Sequence, residues 1–134
     1  MRWFKAACFV LVALALVHSM SFLMPPRAPS DPTEAKLQDL MRNYKQDLLG
    51  VPRSLGDLFR GFLISFSVLP LTMAAAGLVI AGRADRVLVR SIAGVYGLGL
   101  LVMSGVSVVW WFPAPTAFLV VATLLFGISW MKLA

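Results

Sequence analysis

The sequence predicts an all-α integral membrane protein, a four-helix bundle with an extra amphipathic helix in the outer loop between spans 1 and 2. Composition is the first observation, because 60% of the 134 residues are hydrophobic, more than a soluble domain of this size carries. Residues 91–131 also contain no charged side chain, and as one helix they would be about 62 Å long, twice the hydrocarbon thickness of a bilayer. Pro113 and Pro115 interrupt this stretch, since proline cannot donate a backbone hydrogen bond. Two membrane helices joined by a corner are therefore expected.

Four uncharged or nearly uncharged stretches are long enough to cross a bilayer, which takes roughly 20 helical residues. We expect spans at about residues 6–24, 58–82, 91–112 and 115–133, all within a single membrane domain of residues 1–134. The first stretch follows a short basic segment, as in a secretory signal, but no small-residue cleavage pattern comes after it. We therefore expect it to remain in place as span 1.

The loop between spans 1 and 2 carries a helix signal of its own. Asp31 is a favourable N-cap, Pro32 follows at the first helical position, and Glu34 stands three residues after the cap. We expect an amphipathic helix at about residues 32–49, ended by Gly50, which caps the bundle because its charges are too mixed to favour anionic lipid. Its apolar face has helical spacing and consists of Leu37, Leu40, Met41, Tyr44 and Leu48.

Span 2 has a second helix start ahead of it. Ser54 followed by Asp57 is a capping pattern, so the helix is expected to begin near Leu55 and to pass through the membrane interface before it enters lipid. Pro70 lies near the middle of the span, where it removes one backbone hydrogen bond and favours a bend.

The positions of the basic residues predict the orientation. Positive charge concentrates on the cytoplasmic side of short loops, and six basic side chains there face one acid, Asp85. In the loop of residues 25–60, by contrast, six basic residues are nearly balanced by five acids. Both termini are therefore expected in the cytoplasm, and the net charge of +6 indicates topology and no nucleic-acid binding. The six cytoplasmic basic residues are Arg2, Lys5, Arg83, Arg86, Arg90 and Lys132.

Few residues in the spans carry chemistry. None of the four spans contains Asp or Glu, so the membrane carboxylate of a proton-coupled exporter is missing. Cys8 is the only cysteine and His18 the only histidine, which excludes a cysteine-pair thiol oxidase and a haem held by two histidines. These two residues are about 15 Å apart along one helix, too far to share a metal ion. We expect no cofactor and no metal.

His18 is the main candidate for a functional residue. It lies in the outer half of span 1, at a depth where hydroxyls of other spans should also occur. One interpretation is a hydrogen bond between His18 and a neighbouring helix, and the other is a polar ligand pocket open to the outer side. A Ser/His hydrolytic centre is disfavoured because no Gly-x-Ser-x-Gly pattern is present. The pocket would be formed by His18, Arg60, Ser65, Ser67, Ser104 and Ser107.

Small residues at four-residue spacing indicate close helix packing. The pairs allow helix backbones to approach, and we expect them to serve packing within the chain. The third span has further glycines and is expected in the centre of the bundle or at a subunit boundary. The pairs are Gly77 with Ala81, Ala93 with Gly97, and Thr123 with Gly127.

The order of these features resembles a group of small uncharacterised bacterial four-span membrane proteins. The shared elements are a histidine late in the first helix, an outer amphipathic segment, an opening of the second helix, an arginine after it and a proline corner before the last helix. The resemblance implies the four-span fold and a bacterial inner membrane, and it implies no activity. In this sequence the elements are His18, Gly61-Phe62 with Phe66-Ser67, Arg83 and Phe112-Pro113-Ala114-Pro115.

Three classes of function remain compatible with the sequence. The leading hypothesis is a non-catalytic membrane protein that acts as a subunit, scaffold or partner-binding module, with membrane lipids and either a second copy or another membrane protein as partners. The alternative is a binder or transporter of lipid or a small molecule that uses the pocket around His18. The third class is a membrane-embedded enzyme. A cavity at His18 would favour the binder, whereas a closely hydrogen-bonded His18 without a cavity would favour the first class.

Overall fold

The computed structural model describes residues 1–25 and 27–134. Four of its helices are each long and apolar enough to cross a membrane, so the chain is a multi-pass membrane protein by length and composition, as predicted. A shorter helix and a two-stranded β-hairpin lie between the first two of them. The elements are α1 (Arg2–Leu23), α2 (Pro32–Asn43), β1 (Lys45–Leu48), β2 (Val51–Ser54), α3 (Leu55–Arg83), α4 (Arg86–Trp110) and α5 (Pro113–Lys132).

Local capping determines where the helices start. The Asp57 backbone N–H donates to Ser54 Oγ at 3.1 Å, and the Ser54 N–H donates to Asp57 Oδ2 at 3.0 Å. This reciprocal pair confirms the predicted start of α3 at Leu55. Asp85 caps α4 in a similar way by accepting from the Leu88 N–H at 2.8 Å. α3 then continues through Pro70, whose ring is buried.

The predicted helix at 32–49 is too long, because α2 ends at Asn43. Residues 45–48 instead pair with residues 51–54 as an antiparallel hairpin. The two-residue turn between the strands has both residues in the left-handed region, Leu49 at φ 57° and Gly50 at φ 85°. Gly50 adopts this conformation without steric cost, so the chain turns back on itself there and both sides of the turn exchange ladder hydrogen bonds. Helical spacing of Leu48 with the earlier apolar residues was therefore coincidental.

The apolar face predicted for α2 is only partly covered. Met41 is half-buried, and its carbonyl oxygen would lie 3.0 Å from a Cβ placed on Gly56, so α2 lies against the first turn of α3. Leu37 and Leu40, however, are 56% and 49% exposed. α2 therefore lies beside β2 and the first turn of α3. Its predicted role as a cap over the whole bundle stays a prediction.

The four long helices form an open arc in the order α3, α1, α5, α4. α1 packs along α3 on one side and along α5 on the other, and α4 packs along α5. α3 and α4 contact each other little, although only Ala84 and Asp85 separate them in the chain. The glycine-rich α4 thus lies at one end of the arc and not in its centre. The central helices are α1 and α5.

Close backbone contacts hold the arc together. A Cβ placed on Gly77 of α3 would lie 2.7 Å from the Sγ of Cys8 on α1, and one placed on Gly97 of α4 would touch Phe126 of α5. Phe4 and Phe126 fill the core between these contacts and meet edge to face, with ring centroids 5.3 Å apart. Gly77 and Gly97 belong to two of the predicted small-residue pairs, and both serve packing within the chain.

Candidate functional site

His18 stands at one end of a row of aromatic rings that links three parts of the chain. Its ring meets Phe66 of α3 edge to face, with centroids 6.0 Å apart and an interplanar angle of 67°. Phe66 meets Trp111 in the same way, with centroids 4.5 Å apart at 73°. Trp111 is the first residue after α4, so the row connects α1, α3 and the corner that precedes α5. The contact between Phe66 and Trp111 therefore joins α3 to the end of α4, the two outer helices of the arc.

A cavity of about 450 Å³ lies beside this row. Of the nine described residues that line it, six have aromatic side chains other than histidine and none carries a formal charge. Four of the six aromatic side chains are more than half exposed, so the cavity opens onto the side of the helices. The lining consists of His18, Phe59, Phe62, Leu63, Phe66, Trp110, Trp111, Phe112 and Pro115.

The imidazole of His18 lies in the wall of this cavity and carries an unpaired polar atom. Its Nε2 is buried and has no hydrogen-bond partner among the described residues. Leaving a buried donor or acceptor unpaired costs about 1–3 kcal/mol, so a turn of the ring that brings Nε2 to a ligand in the cavity would recover this free energy. The hydroxyls nearest in sequence do not pair with it; Ser19 Oγ donates to the Ala15 carbonyl at 2.7 Å and Ser21 Oγ donates to the His18 carbonyl at 2.6 Å.

Two of the predicted site serines connect α4 to α5. Ser104 Oγ lies 3.3 Å from Thr123 Oγ1, and Ser107 Oγ lies 2.6 Å from Thr116 Oγ1. Ser104 Oγ also donates to the Leu100 carbonyl at 2.8 Å. Both serines are buried in this interface, and neither lines the cavity at His18. Their hydroxyls are used for helix association.

The remaining predicted residues lie on α3 and do not line the cavity. Ser67 Oγ donates to the Leu63 carbonyl at 3.3 Å, one turn earlier in its own helix. Ser65 lines a separate shallow groove together with Arg53 and Asp57, and Arg60 is exposed. Neither the two serines nor Arg60 is among the residues that line the cavity. The structure thus brings His18 to a pocket but surrounds it with rings in place of hydroxyls.

The sequence contained a signal for the aromatic lining. Phe59, Phe62 and Phe66 recur at spacings of three and four, which places them on one face of a helix. Trp110, Trp111 and Phe112 are three consecutive aromatic residues at the proline corner. Tryptophan is also typical of the membrane interface, so the two tryptophans alone did not indicate a pocket. The helical face formed by the phenylalanines was the clue to a pocket.

The arrangement is suited to binding more than to bond-breaking chemistry. A nucleophile of the serine type needs a base within hydrogen-bond reach, and each hydroxyl in the pairs above bonds to another hydroxyl or a main-chain carbonyl. Within residues 1–25 and 27–134, no group of three or more His, Cys, Asp or Glu could hold a metal ion. What the pocket offers is an aromatic cavity without Lys, Arg, Asp or Glu in its lining and with the His18 imidazole in its wall.

Comparison of the chain with protein-family models, with curated proteins and with solved structures finds no match in any of the three.

Proposed function

We propose that this chain is a non-catalytic protein of the bacterial inner membrane that binds a lipid or another apolar small molecule in the aromatic pocket around His18. The observation that carries this proposal is the cavity of about 450 Å³ beside a buried, unpaired Nε2. A cavity of that size falls within the range of small-molecule sites, which are mostly apolar with a few polar groups that orient the ligand. Here the orienting group is the imidazole.

The position of the cavity mouth supports a ligand that arrives through the bilayer. The side chains of Phe59, Phe62 and Trp110 are 57%, 67% and 75% exposed, and they belong to helices of membrane-spanning length. An apolar molecule dissolved in lipid reaches such a mouth without crossing water, so the cost of its desolvation has already been met in the membrane. With both termini in the cytoplasm, His18 and the corner at Phe112 lie toward the outer leaflet.

Filling the cavity tests the proposal. Leu63 lines the cavity, whereas Leu69 of the same helix is 61% exposed and lines none of the cavities described above. Leu63→Trp should exclude the ligand, and Leu69→Trp is the matched control for adding an indole to α3. After gentle purification from native membranes, mass spectrometry of the intact protein should show a bound small molecule in the parent and in Leu69→Trp but not in Leu63→Trp. Equal occupancy in all three, or none in the parent, would contradict the proposal.

A second candidate function is that of a subunit or partner-binding module, which the sequence favoured. The open side of the arc supports it, because α3 and α4 leave long apolar faces without a protein neighbour. No described atom would lie within 4 Å of a Cβ on Gly99 or Gly105 of α4. The exposed stripe that contains Gly105 has the three-and-four spacing of a helix-packing seam and consists of Val95, Leu98, Val102, Gly105 and Val109.

Cysteine cross-linking in membranes tests this second candidate. Leu98→Cys in a Cys8→Ala background places one thiol in the exposed stripe, and Leu16→Cys places a control thiol on α1, where Leu16 is 62% exposed. A cross-link to a second copy or to another membrane protein that forms at residue 98 and not at residue 16 supports the module. Monomer alone at both positions contradicts it.

A further inference from the structure

We propose that the pocket around His18 selects a neutral planar ring that bears carbonyl groups and is carried on an apolar tail, the chemical class of the membrane quinones. The proposal rests on the small-molecule binding proposed above and adds the identity of the ligand class. Three features of the pocket lead to it: the aromatic lining, the lack of charged residues, and the few hydrogen-bonding groups, which are the His18 imidazole and the indoles of Trp110 and Trp111.

The lining favours a flat ligand over a flexible chain. Phe66 and Trp111 hold each other at 73°, so their faces and edges point in different directions around the cavity. A planar conjugated ring gains stacked and edge-to-face contacts with such side chains in addition to burial of its area. An acyl chain gains burial alone and loses rotational freedom along its length. Because six aromatic side chains line the pocket, it should bind a planar ring more tightly than a flexible chain.

The charges of the pocket exclude most lipid headgroups. A phosphate or carboxylate placed in the cavity would lose its water without a cation to replace it, because no Lys or Arg is among the lining residues. Arg53 lies in the neighbouring groove, beyond the shared wall residue Phe62, and Asp57 accompanies it there. A quinone ring has no formal charge, so its transfer from lipid into the cavity needs no counter-ion.

His18 supplies a polar contact for such a ring. A neutral imidazole with its proton on Nε2 donates to a carbonyl oxygen, and the other tautomer accepts from the hydroxyl of the reduced ring. The half-buried side chain lies in the cavity wall with Nε2 buried and without a protein partner, so a turn of the ring toward the cavity would pair this nitrogen with the ligand. The apolar tail then leaves over the exposed Phe59 and Phe62 side chains into lipid.

Tryptophan fluorescence provides a direct test, since quinones quench indole emission at short range. Trp110 and Trp111 line the pocket, while Trp3 and Trp130 are at the other end of the long helices. The full chain is placed in nanodiscs of neutral lipid and titrated with a short-tailed ubiquinone. The Trp3→Phe, Trp130→Phe double variant keeps only the pocket indoles and should show saturable quenching. The Trp110→Phe, Trp111→Phe control should show only the linear quenching of quinone dissolved in lipid, and linear quenching in both would overturn the proposal.

Variants of His18 test the hydrogen bond in the same assay. His18→Leu should weaken saturable binding at least tenfold, and His18→Asn, which keeps a donor, should weaken it less. Unchanged affinity in His18→Leu would overturn the assigned contact. If His18→Leu does not fold, as judged by its melting curve, Leu63→Trp replaces it and should abolish saturable quenching.

Competition separates failure of this inference from failure of the proposed function. A long-chain fatty alcohol, which has a tail and a hydroxyl but no ring, should displace the quinone poorly. Displacement at equal concentration would show that the pocket recognises a chain, which overturns the quinone class and leaves small-molecule binding in place. Absence of any molecule whose occupancy depends on Leu63 would overturn both.

Discussion

Gly77 and Cys8 meet so closely that a Cβ on Gly77 would lie 2.7 Å from the cysteine Sγ. Real Cβ atoms do not approach sulfur at that distance, so α3 reaches α1 only because residue 77 has no side chain. The ring of Phe4 lines the same place, 3.4 Å from the Cβ position. Cys8 is fully buried in this contact, and its role in the structure is that of a small core side chain.

The first prediction follows from this contact. Gly77→Ala should destabilise the bundle by about 1–3 kcal/mol, because the added methyl forces α1 and α3 apart. Gly82→Ala on the same helix has open space and should be neutral or slightly stabilising. Cys8→Ala should rescue Gly77→Ala by removing the sulfur. Unfolding in mixed detergent micelles measures these changes, and equal effects at residues 77 and 82 would contradict the packing.

The second prediction concerns topology. Cysteines introduced at Lys36 and Arg86 in a Cys8→Ala background should react with an impermeant thiol reagent from opposite sides of the membrane. Lys36 lies on α2 and Arg86 begins α4 after the short turn, so the two sites are separated by the whole length of α3. In intact cells only residue 36 should be labelled, and residue 86 should follow after permeabilisation. Labelling of both from one side would rule out the proposed orientation.

The third prediction concerns the hydroxyl pairs between α4 and α5. Ser107 is fully buried and lies 2.6 Å from Thr116 Oγ1, so Ser107→Ala should cost about 0.5–1.5 kcal/mol. Ser91→Ala is the control on the same helix, since Ser91 is exposed and donates only to the Val87 carbonyl. A double-mutant cycle with Thr116→Val isolates the pair. A coupling energy near zero would mean that the hydroxyls are satisfied separately.

The fourth prediction concerns acid and the start of α2. The backbone N–H groups of Glu34 and Thr33 donate to Asp31 and lower its pKa below the ordinary 3.8. Hydrogen bonds from the Ser30 hydroxyl and N–H likewise lower the pKa of Glu34 below 4.5. A lowered pKa in the folded state means that each carboxylate stabilises the helix above its unfolded pKa. That contribution is lost as the pH falls through the lowered value.

A spin label at residue 36 in a Cys8→Ala background reports this change. Its motion should be restricted at neutral pH and should increase as the pH falls through the lowered pKa of Asp31, when the N-cap carboxylate becomes protonated. Asp31→Asn retains a capping oxygen but no titrating group, so its label should respond less. Equal acid responses in parent and variant would show that Asp31 does not hold the start of α2.

Local signals in the sequence were enough to predict the four long helices. Charge-free length and the prolines at 113 and 115 predicted four spans, and the structure has helices of spanning length at each of them. The exchange between Ser54 and Asp57 involves residues three apart, so the start of α3 was also readable. The end of α2 could not be predicted in this way, because Leu48 fits both the apolar face of a helix and a strand. Its pairing with Val51 places it in a strand.

Tertiary structure alone decided which faces of the long helices meet. In a soluble protein the apolar face of a helix indicates the core, but in a membrane the face toward lipid is equally apolar, so periodicity does not distinguish them. For this reason the sequence did not reveal that α4 lies at the end of the arc or that Phe66 faces His18. His18 was identifiable as the only imidazole in the chain. Its aromatic surroundings depended on how α1, α3 and the corner at Trp111 pack together, which no single segment encodes.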